Sequence, residues 1–415
     1  MTDALRRELE SFGFSASLLD VAATSLDAVR DAWTERDRNA MIVGAKVIRC
    51  FAAAGLHEGH LSGSTGYGYD DLGRDAYEAL LASALDGQAA LARVQLASGT
   101  HAIVAATHAL LGPKGRLLSA TGSPYDTLRL SLTTPLDKDR RYIDVAMSGD
   151  GVPDLAGLRN ALSAAPEVVF IQRSRGYALR HALSIAGIAS IVRIVREQSP
   201  SSIVVVDNCY GEFVEPLEPG AVDADVAIGS LIKNPGGGVA PAGAYIAGRR
   251  EIVERIASSI FAPGLGRKVG PSLDTPRWLF AGLHRAPKVV GESLKILDFA
   301  AAVFSALGYE VDPVAGAPRF DTIQAIRLGD AARLRRFTEG LQKMLPVNSR
   351  ARPEPGPVPG YDDPVIMAMG SFISGSTMEL SCDAPLRPPF EVYLQGGMDV
   401  THGVIGVLGA AQALL

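Results

Sequence analysis

Residues 203–238 read IVVVDNCYGEFVEPLEPGAVDADVAIGSLIKNPGGG and hold both a carboxylate and a lysine placed for chemistry. The apolar run Ile203–Val206 ends in Asp207. A second run, Val226–Ile228, passes through Gly229 and Ser230 to Lys233 and three glycines. Apolar runs like these form buried parallel strands, and open α/β sheets bind ligands outside the carboxyl ends of such strands. An aspartate at one strand end and a lysine past another are what pyridoxal 5'-phosphate needs. The lysine carries the cofactor as a Schiff base, and the carboxylate keeps the pyridine nitrogen protonated so that the ring accepts electrons. Each residue alone has a plainer role: Asp207 as a turn or cap, Lys233 as a solvated charge, the glycines as a mobile turn. The rest of the chain decides between these roles.

Several further segments place polar groups just after an apolar run. Ser98-Gly99-Thr100 opens a helix running to Leu111; free N–H groups at a helix start suit a phosphate, and simple capping by Ser98 or Thr100 is the alternative. A strand over 116–120 leads to Tyr125, which either stacks on a flat ring or packs into the core. A strand over 168–172 leads to Arg173, Arg175 and Tyr177. The loop Gly63–Asp75, GSTGYGYDDLGRD, carries Tyr67, Tyr69 and Arg74, as a surface loop or as one that touches a ligand. Arg387 sits in a stiff Pro-rich turn, a bidentate fork for a substrate carboxylate or a surface arginine. His57 and His60 are too closely spaced for a zincin pattern and lack a third ligand, so no metal is expected.

These groups need a scaffold. Strands at 142–147, 203–206, 226–228 and 244–247 alternate with helices at 152–164, 186–196 and 249–260. That pitch gives an α/β fold, a mostly parallel sheet sandwiched by helices. Ser98, Tyr125, Arg173, Asp207 and Lys233 then fall on one edge. Residues 75–93 are expected to be helical. A helical region over 271–307 leads to a smaller α+β C-terminal domain with strands at 322–327, 365–369 and 377–381. The expected division is 1–60, an N-terminal helical arm; 61–290, the large domain; and 291–415, the small one.

Composition narrows the class. The 415 residues are 47% hydrophobic and 20% charged with net charge −5, ordinary for a globular enzyme. No basic stripe points to nucleic acid, and no long apolar run points to a membrane. Three scattered cysteines and an N-terminus without an apolar signal core lead to a cytoplasmic expectation.

From about Gly55 onward, the motifs GYGYDDLGRD, QLASGTHAI, FIQRSRGY, VVVDNCYGEFVE, GSLIKNPGGGVAPAGAYIAGR and APGLG resemble the methionine γ-lyase-like proteins often labelled aluminium-resistance proteins. These are fold-type I pyridoxal phosphate enzymes. The resemblance implies that Lys233 holds the cofactor, Asp207 faces the pyridine nitrogen, Tyr125 lies over the ring, and Ser98, Gly99, Thr100 and Ser230 bind the phosphate. Tyr69 and Arg74 would reach the neighbouring subunit's cofactor, implying a homo-oligomer, at least a dimer and by expectation a tetramer. Arg387, Arg173 and Tyr67 would meet an amino-acid substrate. The implied reaction is γ-elimination, with β-elimination or γ-replacement as alternatives, and a nucleotide-binding α/β protein without the cofactor as a distant one. The chain departs from the family at Ser258–Phe261, after Tyr177 and at Gly397–His402, which bears on substrate identity.

Overall fold

The computed structural model describes residues 1–137, 141–149 and 151–415. The valine and isoleucine runs form the middle of a seven-stranded sheet: β1 (Ala89–Arg93), β2 (Leu117–Ser119), β3 (Tyr142–Asp144), β4 (Val168–Gln172), β5 (Ile203–Asp207), β6 (Val226–Ser230) and β7 (Ala244–Gly248), in the order β1-β7-β6-β5-β4-β2-β3. The pairs from β3 to β6 are parallel, while β7 runs antiparallel to both β6 and β1. Only β7 therefore opposes the rest, and six strands deliver their carboxyl ends to one edge.

Side chains alternate across each strand. On one face Leu117, Phe170, Val205 and Ile228 pack with the helices Gly99–Leu110 and Arg250–Ile260. On the other, Leu118, Val169, Ile171, Val204 and Val206 pack under the helix Ile185–Gln198. Both faces are covered, which is why the central strands read as unbroken apolar runs.

The second sheet is antiparallel: β8 (Glu310–Asp312), β9 (Ile323–Arg327), β10 (Val365–Ala368), β11 (Ser381–Pro385) and β12 (Glu391–Gln395), ordered β10-β11-β12-β9-β8. Its core joins Ile326, Val392 and Leu394 to Phe299, Phe304, Phe337 and Leu408.

The chain falls into two compact units, 42–286 and 1–41 with 287–415. The first boundary differs from the expected residue 60. Leu9, Leu18, Leu19 and Ala22 join the core of the antiparallel sheet, and the Trp33 indole N–H donates to the Lys295 carbonyl at 2.8 Å. Lys46 instead pairs with Asp86 at 2.7 Å, and Phe51 meets Phe280 edge-on, so residues past 41 belong with the large sheet. The expected helix over 75–93 also divides. It runs from Leu72 to Ala84, and β1 follows. Asp86 at φ +56° and Gly87 break it, and the alanine-rich β1 is recruited by its ladder with β7 despite weak strand propensity. The strand expected at 377–381 lies at 381–385, and β12 was not anticipated beside the Pro388-Pro389 turn. The loss of ladder donors at proline hides such a strand from pattern reading.

Candidate active site

Asp207 is the last residue of β5, in register with Gln172 of β4 and Ile228 of β6. Its carboxylate is buried and accepts the Cys209 N–H at Oδ1 at 3.1 Å. Burial pushes its pKa up to about 6, against the opposing pull of the Cys209 hydrogen bonds, Lys233 and Arg180. A buried carboxylate with this little compensation is a strong site for a partner cation. Lys233 follows β6, and its N–H closes a turn onto the Ser230 carbonyl at 3.3 Å. Its Nζ stands 3.9 Å from the centroid of the Tyr210 ring. Burial works against the ammonium, yet Tyr210, Cys209 and Glu212 around it outweigh that and raise its pKa. Asn234, the next residue, donates from Nδ2 to the Glu212 carbonyl at 2.9 Å, tying the lysine turn to the loop after β5.

Ser98 caps the helix Gly99–Leu110, its Oγ accepting the His101 N–H at 3.0 Å. The N–H groups of Gly99 and Thr100 belong to the turn that has no intrahelical acceptor, at the positive end of the helix dipole. A Cβ at Gly99 would lie 3.3 Å from the Cys209 Sγ and 3.4 Å from the Ser230 Cβ, so the absence of a side chain lets this helix start close on β6. Thr100 Oγ1 and the Tyr125 hydroxyl share a hydrogen bond at 2.8 Å. Burial, then Asp207 and Cys209, hold the Tyr125 phenol well above its ordinary pKa, so it stays protonated. The Tyr125 N–H donates to Gln172 Oε1 at 3.0 Å, which fixes the residue to the end of β4. Ser98, Gly99, Thr100, Tyr125, Asp207, Ser230 and Lys233 are thus gathered at the carboxyl ends of β1, β2, β5 and β6.

Arg173 follows β4 at the same edge, its N–H donating to the Asp207 carbonyl at 3.0 Å, and the remaining expected site residues lie elsewhere. Arg173 has no exposure, and its guanidinium is spent inside the protein: Nη1 donates to Asn208 Oδ1 at 2.8 Å, Nη2 to Glu215 Oε2 at 2.8 Å, and Glu218 stands 3.4 Å away. The guanidinium expected to meet a substrate is thus already paired with groups of the protein itself. Arg74 is also buried, donating from Nε to Asp75 at 2.8 Å and from Nη1 to the carbonyls of Gly68 and Gly270 at 2.6 and 2.9 Å. It pins the loop that presents Tyr67 and Tyr69, which are 77% and 52% exposed and outward-facing. Tyr69 and Arg74 border an open cleft of about 610 Å³ with Arg267 and Lys268. Arg387 belongs to the other unit, half-buried, with its guanidinium 5.6 Å from the centroid of the Tyr361 ring. His57 and His60 cap a short turn: His57 Nδ1 accepts the Gly59 N–H and His60 Nδ1 accepts the His57 N–H, each at 3.1 Å.

The sequence reading passed over Tyr210, Glu212 and Gln172. Tyr210 lies three residues past Asp207 and takes φ +69°, a backbone state that sequence does not announce for tyrosine. Glu212 is buried without exposure, accepts the Tyr245 hydroxyl at 2.9 Å, and is pushed by burial up to about 8.

The model of the methionine gamma-lyase family matches residues 18–415. This chain belongs to that family. Protein YnbB of Bacillus subtilis is 40% identical over 89% of this chain and 90% of its own. The structure of a carbon-sulfur lyase involved in aluminum resistance from Clostridium novyi NT superimposes with TM-score 0.94 at 35% identity, covering both chains fully. A Clostridium acetobutylicum protein, provisionally named a cystathionine beta-lyase involved in aluminum resistance, gives 0.95 at 37% identity, again over both full chains. The fold is the one shared by fold-type I pyridoxal phosphate enzymes. The methionine gamma-lyase family uses pyridoxal phosphate, and the residues here fit it: an amine at Lys233, a buried carboxylate at Asp207, and a helix start stripped of side chain at Gly99. Among the described residues no helix is long and apolar enough to cross a membrane.

Proposed function

We propose that this protein is a pyridoxal phosphate-dependent lyase that breaks a carbon–heteroatom bond in an L-amino acid by γ-elimination. The observation that supports the cofactor-dependent part of this reading is Lys233 at the carboxyl end of β6, ringed by Tyr210, Cys209 and Glu212, with Asp207 buried and pushed up to about 6 beside it; membership of the methionine gamma-lyase family is what favours γ over β. When bound, the cofactor supplies an electron sink conjugated to the substrate's α-carbon.

The chain's own groups divide the remaining work. Lys233 is the amine that would carry the cofactor, and its Nζ is the base placed to take the α-proton. Asp207 would face the cofactor's ring nitrogen, whose positive charge would offset the burial of the carboxylate. The N–H groups of Gly99 and Thr100, with the hydroxyls of Ser98 and Ser230, hold a phosphate at the positive end of the helix. Tyr125, fastened by Thr100 and Gln172 with its phenol protonated, would lie over the cofactor's ring. Arg387 takes the substrate carboxylate as a bidentate fork. Tyr67 and Tyr69, exposed on the loop that Arg74 pins, meet a second copy of the chain in a homo-oligomer whose smallest unit is a dimer. Arg173 supports the site from behind. Cytoplasmic residence accords with the three unpaired cysteines.

A second reading, β-elimination, is favoured by the name of the Clostridium acetobutylicum relative. The two separate by product. L-Methionine and S-methyl-L-cysteine are supplied to the cofactor-loaded protein, and the oxo acids are identified by mass. A four-carbon 2-oxo acid with methanethiol from methionine supports γ-elimination. A three-carbon 2-oxo acid from the cysteine derivative alone replaces it with β-elimination. A protein with no near-visible cofactor band after incubation with pyridoxal phosphate refutes both.

A further inference from the structure

An elimination gains from more than a base at the α-carbon, because a thiolate departs more readily when an acid protonates it. The Tyr125 hydroxyl is already engaged with Thr100. A second phenol stands beside the lysine. After Asp207 the chain turns sharply: the Gly211 N–H donates to the Asn208 carbonyl at 2.9 Å, and Tyr210 between them is held at φ +69°. A tyrosine is disfavoured in the left-handed region, and such strain persists where the surroundings over-determine it, often at functional sites. Here the strained turn brings the Tyr210 ring to 3.9 Å from Lys233 Nζ, and a hydrogen bond with the Tyr210 side chain helps keep Lys233 charged. Tyr210 itself is buried at 6% exposure, and its hydroxyl lies 3.2 Å from that of Tyr177. Tyr177 is half-buried, in the turn after β4. That turn requires Gly176, at φ +59°, where a Cβ would come within 2.8 Å of Gln172 Nε2. Two specialised turns from neighbouring strands thus build one line of proton-carrying groups, from Lys233 through Tyr210 to the more open Tyr177.

We propose that Tyr177 protonates the departing heteroatom and that Tyr210 relays the proton from Lys233. This rests on the lyase reading above. Lys233 Nζ takes a proton from the carbon adjacent to the one that bears sulfur, whose C–H electron pair becomes the new carbon–carbon double bond, and passes that proton to the Tyr210 oxygen. Tyr210 gives its own proton to the Tyr177 oxygen, and Tyr177 gives its own to sulfur. The carbon–sulfur bond breaks with its electron pair going to sulfur, and a sulfur–hydrogen bond forms. Both phenols end neutral, and no oxidant or reductant is used.

The test compares leaving groups that differ in their need for a proton. The substrates are L-methionine with its γ-chloro counterpart and S-methyl-L-cysteine with 3-chloro-L-alanine, since chloride leaves unprotonated. In Tyr177→Phe, kcat on the thioether should fall about 100-fold or more, the usual worth of a positioned acid, and on the chloride less than about fivefold. Tyr210→Phe should show the same split, and the double variant should be no worse than either single one, as expected for groups acting in series. Near-visible absorbance of each loaded variant reports that the cofactor site is intact. Equal losses on thioether and chloride, or no loss on either, overturn the relay alone. Wild-type protein that eliminates from neither pair overturns the lyase reading and the relay with it.

Discussion

The carboxylate of Asp207 should destabilise the cofactor-free protein, and replacing it with asparagine should reveal by how much. Its pKa is pushed from 3.8 up to about 6 in the folded chain, chiefly by burial. Between those values the folded protein holds a proton that the unfolded chain has lost, so stability falls as pH rises through this window and is level above it. Two pH units correspond to about 3 kcal/mol. Asp207→Asn removes the titration and leaves the shape. The variant should match wild type near pH 4 and exceed it by up to about 3 kcal/mol at pH 8, without cofactor. For a unit of this size that is roughly 6 °C in melting temperature, at about 2 °C per kcal/mol. Glu212 also titrates upward from burial, and subtracting the two curves at each pH removes its contribution to first order. With pyridoxal phosphate bound, the ordering should reverse, because the ring nitrogen's positive charge then stabilises the carboxylate and only wild type gains from it. The assay is thermal unfolding of both proteins at each half pH unit, with and without cofactor. An Asp207→Asn variant no more stable than wild type at pH 8 without cofactor would refute the reasoning. It would mean that Lys233 and Arg180 already balance the charge.

Further outcomes follow from the same geometry. Lys233→Ala should lose both turnover and the lysine-linked near-visible band; full activity in this variant would remove the assignment of Lys233. Gly99→Val places branched carbon where a Cβ already meets Cys209 and Ser230 at 3.3 and 3.4 Å, so the affinity for pyridoxal phosphate, read by fluorescence titration, should weaken tenfold or more. Arg173→Leu leaves Glu218 buried without its cation and should cost about 3–5 kcal/mol in unfolding experiments. A variant of unchanged stability with a raised KM would instead return Arg173 to the substrate. Tyr177→Phe should separate thioether from chloride elimination, as set out above.

The strand-end residues Asp207, Tyr125 and Lys233 were legible in the chain because a doubly covered parallel sheet writes its strands as apolar runs and puts chemistry just after them. Register then did what no motif could: pairing Gln172 with Asp207 set the β4 and β5 ends level, and pairing Asp207 with Ile228 let β6 run on past them to Ser230. Arginine roles were not legible. A guanidinium reads the same in sequence whether it awaits a substrate or is enclosed, and only folding showed Arg173 satisfied by Asn208, Glu215 and Glu218. The strand β1 was missed because its ladder with β7 is a long-range contact that overrides the helical preference of alanine. The same holds for Tyr210, whose left-handed backbone and approach to Lys233 depend on a turn held by neighbours far along the chain. The sequence by itself determined the layered sheet and put an amine, a carboxylate and a helix start suited to phosphate just past its strands, because those follow from local pattern and periodicity. Tertiary structure alone decided which charged groups are already paired and which phenols line up with the lysine, because pairing and distance are properties of the packed chain.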